Sequence, residues 1–274
     1  MTQPEDQLIE TYQALRQGRM SRREFVARAA ALGIGAPMTL VLVNSVGVDG
    51  VAAQNTPSER PNIGTDGQLR GAGGELKVRQ WLAPNHAFAH LAGFPPTVAQ
   101  VSSLVLEPLL SYGPDGSLLP TLVTEVPAWE NGGLSEELTT VTLSLREGVL
   151  WSDGDPFSAD DVVWTWQWIT DESNGSTSRW LWGQIQAVEA ISPTQVQLIY
   201  AKPTLAWFAP LAGAYAGGII PRHVWTGRDQ GAVNAEFGTN PIGTGPYRID
   251  ALVPGDQIVC SINEYYREPN KPIS

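Results

Sequence analysis

The chain is poor in cysteine, histidine and basic side chains, and each shortage removes a class of function. One cysteine, Cys260, and three histidines stand among 274 residues. A lone thiol forms no intrachain disulfide and no Cys-based metal cluster. Cys260 lies in Ile258-Val259-Cys260-Ser261-Ile262, where Ile258, Cys260 and Ile262 alternate toward one strand face, so it reads as a small buried hydrophobe rather than a nucleophile. Lys and Arg number 17 against 28 Asp and Glu, a formal net charge of -11. Residues 1–53 carry five groups of each sign, so the carboxylate excess lies downstream. Binding to phosphate backbones needs clustered Lys and Arg, which excludes nucleic acid as a partner.

Motifs for catalysis are missing as well. There is no nucleophile elbow, no histidine followed by a carboxylate orienter, and no carboxylate pair in a motif. Asp153 with Asp155, and Asp160 with Asp161, come nearest to an acid–base pair, but turn formation and helix capping account for all four. His86 and His90, four positions apart, would share a helix face; with no acidic or thiol partner nearby, they make a poor metal site. No cofactor and no metal are expected.

A long uninterrupted apolar run is also lacking. About 20 apolar residues cross a bilayer, yet the run Ala29–Val48 is broken by Gly33, Gly35, Pro37, Asn44 and Gly47. Preceded by Ser21-Arg22-Arg23-Glu24-Phe25-Val26, this weakly hydrophobic segment resembles a twin-arginine export signal. Residues 1–53 are therefore expected to engage the twin-arginine translocase, with Val51-Ala52-Ala53 offering cleavage before Gln54. No cysteine follows the run to carry a lipid. Residues 54–74, rich in Pro, Gly, Asn and Thr, read as a flexible linker.

What the chain does have is 42% hydrophobic residues, enough for one sizeable core or two modest ones. Glu75–Trp81 alternates as a first strand leading into the loop 82–88. Val98, Val101, Val105 and Leu109 share a helical stripe. Leu106–Tyr112 and Ser117–Pro120 read as strand pieces across the tight turn Gly113–Gly116. Asn131–Glu137 reads as a surface excursion. Val141, Leu143 and Leu145 alternate along a strand. The turn Ser152–Pro156 follows, and Ser158 with Asp161 then opens a helix as a capping box, with Val162, Val163, Trp166 and Ile169 on one face. Ile185–Ile191 and Thr194–Tyr200 form a hairpin through Ser192-Pro193. Gly243 and Gly245 suggest backbone conformations closed to other residues, before the strands Tyr247–Leu252 and Gln257–Glu264.

The wording of four segments is more specific than their periodicity. Residues 145–166, LREGVLWSDGDPFSADDVVWTW, together with Leu106–Pro120, Ile219–Trp225 and Asn240–Ile249, resemble the extracellular solute-binding proteins of peptide/nickel ABC importers. Pro108 departs from that pattern, standing where glycine is usual. The resemblance implies an α/β fold: a periplasmic-binding-protein type II-like mixed-sheet lobe, with its main subdomain in residues 75–111 and 205–274 and a smaller β-rich subdomain in 112–204. It also implies a longer chain in which a second lobe follows the Tyr265-Tyr266 strand end. The expectation is a truncated first lobe.

The function so implied is capture of a small solute outside the membrane and delivery to ABC permease subunits, in the periplasm or at the cell surface, with the signal cleaved or retained as a tether. Peptides lead among the ligands; oligosaccharides and nickel complexes stay open. His223 is expected to be structural, pairing with backbone. Candidate ligand contacts are Asn85, His86 and Phe88 from the first loop, Tyr215, and Thr244 beside the glycine turn. Most of the ten tryptophans are assigned to core packing. The rival readings are an exported hydrolase and a carbohydrate-binding or adhesion module.

Overall fold

The computed structural model describes residues 4–35, 39, 42–43, 75–91 and 96–268. The linker 54–74, the cleavage motif 51–53 and half of the apolar run lie outside the described residues. In chain order the elements are α1 (Pro4–Arg16), α2 (Arg22–Ala31), α3 (Pro96–Val105), β1 (Leu110–Tyr112), β2 (Leu118–Pro120), β3 (Thr140–Ser144), α4 (Ala159–Thr170), α5 (Arg179–Trp182), β4 (Ile185–Ser192), β5 (Gln195–Tyr200), α6 (Arg222–Trp225), α7 (Gln230–Thr239), β6 (Tyr247–Val253) and β7 (Gln257–Ile262).

The strands form a three-stranded antiparallel sheet of order β3–β5–β4 and the hairpins β1–β2 and β6–β7. Alternation in β3 and β5 sends Val141 and Leu143 to the same face as their partners Leu198 and Val196, and all four are buried. Each such side chain contributes roughly 1.5–3 kcal/mol. α4 packs against β4, and Trp166 Nε1 donates to Ile185 O at 3.2 Å. The cap of α4 forms as its sequence dictates, with Ser158 N donating to Asp161 Oδ2 at 2.9 Å.

The buried face of α4 departs from expectation. Val162 and Ile169 are buried, but they are joined by Ala159, Thr165 and Trp168, while Val163 and Trp166 are only half-buried. Helical period identifies an apolar stripe; its centre depends on what approaches. Here Phe88 and Trp225 meet Trp168, at ring distances of 5.1 Å and 6.3 Å, and turn the inner face by one residue.

The expected first strand is absent. Residues 75–80 form no strand, and Leu76, Val78 and Trp81 are 67%, 73% and 79% exposed. Alternation alone leaves backbone amides unpaired, and a strand exists only with a partner. α3 does form, with Val98, Val101 and Val105 buried; Leu109 is buried just beyond its end. Pro108 is accommodated in a single bridge to Gly218, beside the hydrogen bond from Ile219 N to Glu107 O of 3.0 Å.

Cys260 is half-buried on β7 and packs with Leu252 and Ile258 against Ala87, Val101, Val105 and Ile249. Burial pushes its thiol pKa up, away from the reactive thiolate. Among the described residues no helix is long and apolar enough to cross a membrane.

Candidate functional site

The turn at 151–156 and the glycine turn at 243–245, remote in sequence, are fastened together. Ser152 N donates to Gly243 O at 2.9 Å, and Gly243 N returns a bond to Ser152 Oγ at 3.3 Å. Trp151 N to Asp155 O at 2.8 Å and Asp155 N to Asp153 Oδ1 at 3.2 Å hold the first turn closed. Neither Gly243 nor Gly245 adopts a positive φ, so the expected special backbone conformation is not what requires glycine there. They are required by proximity: a Cβ on Gly243 would lie 1.9 Å from Val105 O, and one on Gly245 2.6 Å from Leu104 O. The glycines seat this turn on the C-terminal end of α3, where Gly245 N donates to Val105 O at 2.8 Å.

His223 also reaches the first turn. Its Nε2 lies 2.7 Å from Asp153 Oδ2 and 3.5 Å from Asp155 Oδ2, so its partner is a carboxylate rather than backbone. Asp161 is buried and accepts from Arg222 N at 2.8 Å besides Ser158 N. Burial pushes its carboxyl pKa up, against the pull of those two amides. Asp160 faces the Arg222 guanidinium at 3.3 Å. These carboxylates therefore hold turns and helix ends in place.

Asn85 and His86 come together at the junction of α7 and the β6–β7 turn. Ala87 N donates to Gly238 O at 2.7 Å, and Gly255 N to Pro84 O at 3.4 Å. Asn85 is exposed. His86 Nδ1 accepts from Phe88 N at 3.3 Å, and partial burial holds its pKa below the ordinary histidine value. Phe88 is not a surface residue: it is fully buried and packs edge-on against Phe237 at 4.8 Å. The core claims this aromatic, which corrects its assignment as a ligand contact. Thr244 is likewise 1% exposed, and its Oγ1 has no hydrogen-bond partner.

Tyr215 occupies a different segment, on a loop with firm anchors. Trp182 Nε1 donates to Ala216 O at 2.7 Å, and Gly213 N to Leu110 O at 3.1 Å. Gly213 has φ of 79°, and a Cβ added there would lie 3.4 Å from the Tyr112 ring, so the loop faces that ring without a side chain between. Tyr112 and Tyr215 are both 48% exposed. Tyr112 was not singled out from the sequence; its signal was an aromatic at a strand end immediately before a Gly-Pro-Asp-Gly turn. An exposed ring on a loop fixed from beneath suits ligand contact.

His90 and His86 are not on a helix and do not form a pair. His90 is 1% exposed, with Nε2 at 2.6 Å from Gly218 O and Nδ1 at 2.8 Å from Ser178 Oγ. Nε2 carries the proton, and desolvation pushes the pKa down to about 4. Among the described residues no group of His, Cys, Asp and Glu has the arrangement of a metal centre. A polar recess of about 110 Å³ beside β3, lined by Glu125, Asn131, Thr142, Ser144 and Gln195 among others, falls well below the roughly 300 Å³ of a small-molecule pocket.

Comparison with known proteins places these features in context. A family model described as bacterial extracellular solute-binding proteins, family 5, middle region, matches residues 121–273. Protein XP55 of Streptomyces lividans is 31% identical over 176 residues, covering 59% of this chain and 30% of that protein. The glutathione-binding protein GsiB of Escherichia coli is 29% identical over 143 residues, covering 52% of this chain and 27% of its own length. The chain thus spans less than a third of the curated relatives it matches. The crystal structure of NikZ from Campylobacter jejuni, in complex with Ni(L-His), superposes with a TM-score of 0.53 at 29% identity, covering 61% of this chain and 31% of NikZ.

Proposed function

The chain belongs to the family 5 bacterial extracellular solute-binding proteins, and on that premise we propose that it captures a small solute outside the membrane for delivery to an ABC permease. The observation that carries this reading is the family match over 121–273, which runs through the turn at 151–156 and the glycine turn at 243–245, the two stretches that the hydrogen bonds between Ser152 and Gly243 join. Short peptides are the leading solute class. GsiB is named for glutathione, itself a small peptide, and the NikZ complex keeps chelated nickel as an alternative.

The chain's role is binding rather than catalysis. In support of this, Asp153, Asp155, Asp160 and Asp161 are engaged in turns, caps and ion pairs. Asn85, His86 and Tyr215 are the solute contacts in this reading, with Tyr112, whose ring faces Gly213, added to them. Phe88 acts from inside the body, by holding the loop that carries Asn85 and His86, and Thr244 is buried in the glycine turn at 243–245. Residues 112–204 form the smaller subdomain around the β3–β5–β4 sheet. Residues 1–53 direct export through the twin-arginine translocase.

Binding in this class of receptor works by closure around the solute, and in this reading the described residues supply one of the closing surfaces. Calorimetry of the 274-residue chain against dipeptides, tripeptides, nickel–histidine and oligosaccharides tests the proposal. The expected dissociation constants are weaker than about 1 μM; submicromolar binding would sink this reading. Trp81 is 79% exposed at the foot of the Asn85–His86 loop, so its fluorescence should respond to saturating solute and lose that response in His86→Ala. An unaltered response would remove His86 from the site.

A further inference from the structure

The segment 126–138, which contains the expected surface excursion Asn131–Glu137, and the pair of helices at the N-terminus lie outside the candidate site, yet they meet. α1 places Leu8, Tyr12 and Leu15, spaced i, i+4, i+7, in the same buried core as Leu134 and Leu138. Tyr12 packs on Trp129 at 5.4 Å. The Arg16 guanidinium lies over the same indole at 4.5 Å and makes a bidentate pair with Glu136, Nη1 to Oε2 at 2.8 Å and Nη2 to Oε1 at 3.0 Å. α2 is held to α1 by Phe25, edge-on to Tyr12 at 5.8 Å. Its N-terminus is closed by Ser21 and Glu24, with Ser21 N donating to Glu24 Oε2 at 2.9 Å. Arg22 and Arg23 of the twin-arginine stretch are exposed on this helix while Phe25 is its buried anchor.

The receiving surface exists only when the loop is folded. Trp129 Nε1 donates to Ser135 O at 3.0 Å; Asn131 Oδ1 accepts from Ala128 N and Gly133 N; Ser135 Oγ accepts from Thr139 N and Thr140 N. Leu138 is held at φ 56°, in the left-handed region, with its side chain 2% exposed. A leucine persists there only where its surroundings over-determine it. Trp129 and Glu136, seven positions apart, reach one face through this loop alone.

We propose that residues 126–138 are a docking platform for the chain's own α1–α2 pair, which acts as a latch that closes on the folded loop and holds Arg22 and Arg23 in a fixed place on the body. The latch is detachable at its polar contact: the Glu136 side chain is 74% exposed, so its ion pair with Arg16 holds only weakly and is screened by salt. The proposal rests on the export reading only for the role of Arg22 and Arg23; the docking itself rests on the contacts above.

Hydrogen exchange on the full chain tests the latch, comparing the unmodified protein with Glu136→Arg and with Tyr12→Asp. In both variants the amides of α1 are expected to exchange about tenfold faster or more, while β3 and β5 keep their protection. The latch is overturned if α1 protection is unchanged in both variants, or if β3 and β5 lose protection together with α1, which would make the helices an inseparable part of the core. Export of Arg22→Lys/Arg23→Lys is read separately in cells. A protected α1 in a chain whose export ignores that change leaves the latch standing and sinks only the export reading.

Discussion

Glu107 and Arg267, 160 positions apart, form a bidentate ion pair beneath the surface, with Glu107 only 2% exposed. Arg267 also donates to Thr121 O at 3.2 Å. The pair ties the segment leaving β7 to the connection between α3 and β1. In Arg267→Met the carboxylate of Glu107 stays buried without its counter-ion, and the expected loss is about 3–5 kcal/mol. Glu107→Leu/Arg267→Met together should cost far less, because no charge is stranded. Urea midpoints of the two variants decide the matter; equal losses would argue against a desolvated pair.

Two glycine substitutions separate space from backbone conformation. Gly243→Ala drives a Cβ to within 1.9 Å of a backbone carbonyl that cannot rotate away, and about 3 kcal/mol of destabilisation is expected. Gly148 has φ of 70° and open space around its Cα, so Gly148→Ala should cost only the left-handed backbone term, about 1–2 kcal/mol. Denaturant titration should rank them in that order, with loosening of the 151–156 turn in the first variant only.

His90 makes stability depend on pH in a definite direction. Its folded pKa is about 4 against an ordinary 6.5, so between those values the unfolded chain binds the proton that the folded chain refuses. Its contribution is therefore fully present above pH 6.5 and is lost as pH falls toward 4, on the order of 3 kcal/mol in all. His90→Gln should lower stability at neutral pH through the lost bond to Ser178 or Gly218, but remove this component of the pH slope. Melts from pH 4 to 7 on both proteins measure the difference.

Asn234 bridges two indoles in the core. Its Oδ1 accepts from Trp168 Nε1 at 3.2 Å and Trp225 Nε1 at 2.9 Å, and its Nδ2 donates to Asn174 Oδ1 at 3.3 Å. Asn234→Leu leaves both buried indole N–H groups without an acceptor, an expected cost of about 2–4 kcal/mol. Near-ultraviolet circular dichroism should report the disturbed indoles before global unfolding, and Asn234→Asp should retain the indole acceptor.

The readings that succeeded were local. Alternation of Val141 and Leu143, the Gly-Pro-Asp-Gly turn between Tyr112 and Leu118, the hairpin through Ser192-Pro193 and the Ser158–Asp161 cap each depend on residues a few positions apart, and each is found. The failures share another character. Glu75–Trp81 alternates but finds no partner strand, Phe88 lies on a loop but is drawn under it, and His223 bonds a carboxylate 70 positions away. The stripe Leu8, Tyr12, Leu15 of α1 is legible in the sequence, but the surface that covers it, with Trp129, Leu134 and Leu138, lies far along the chain.

Residue order by itself determined the paired hairpins, the capped helix, their turns and the family wording, since hydrogen bonding within a turn and the face of a paired strand follow from near neighbours. Only the tertiary structure decided which faces are covered: that Gly243 is needed for its closeness to Val105, that Trp168 rather than Trp166 turns inward, and that Arg16 meets Glu136. Periodicity announces that a side chain has a face to bury, but the surface that buries it comes from distant parts of the chain, and that encounter is written in no single stretch.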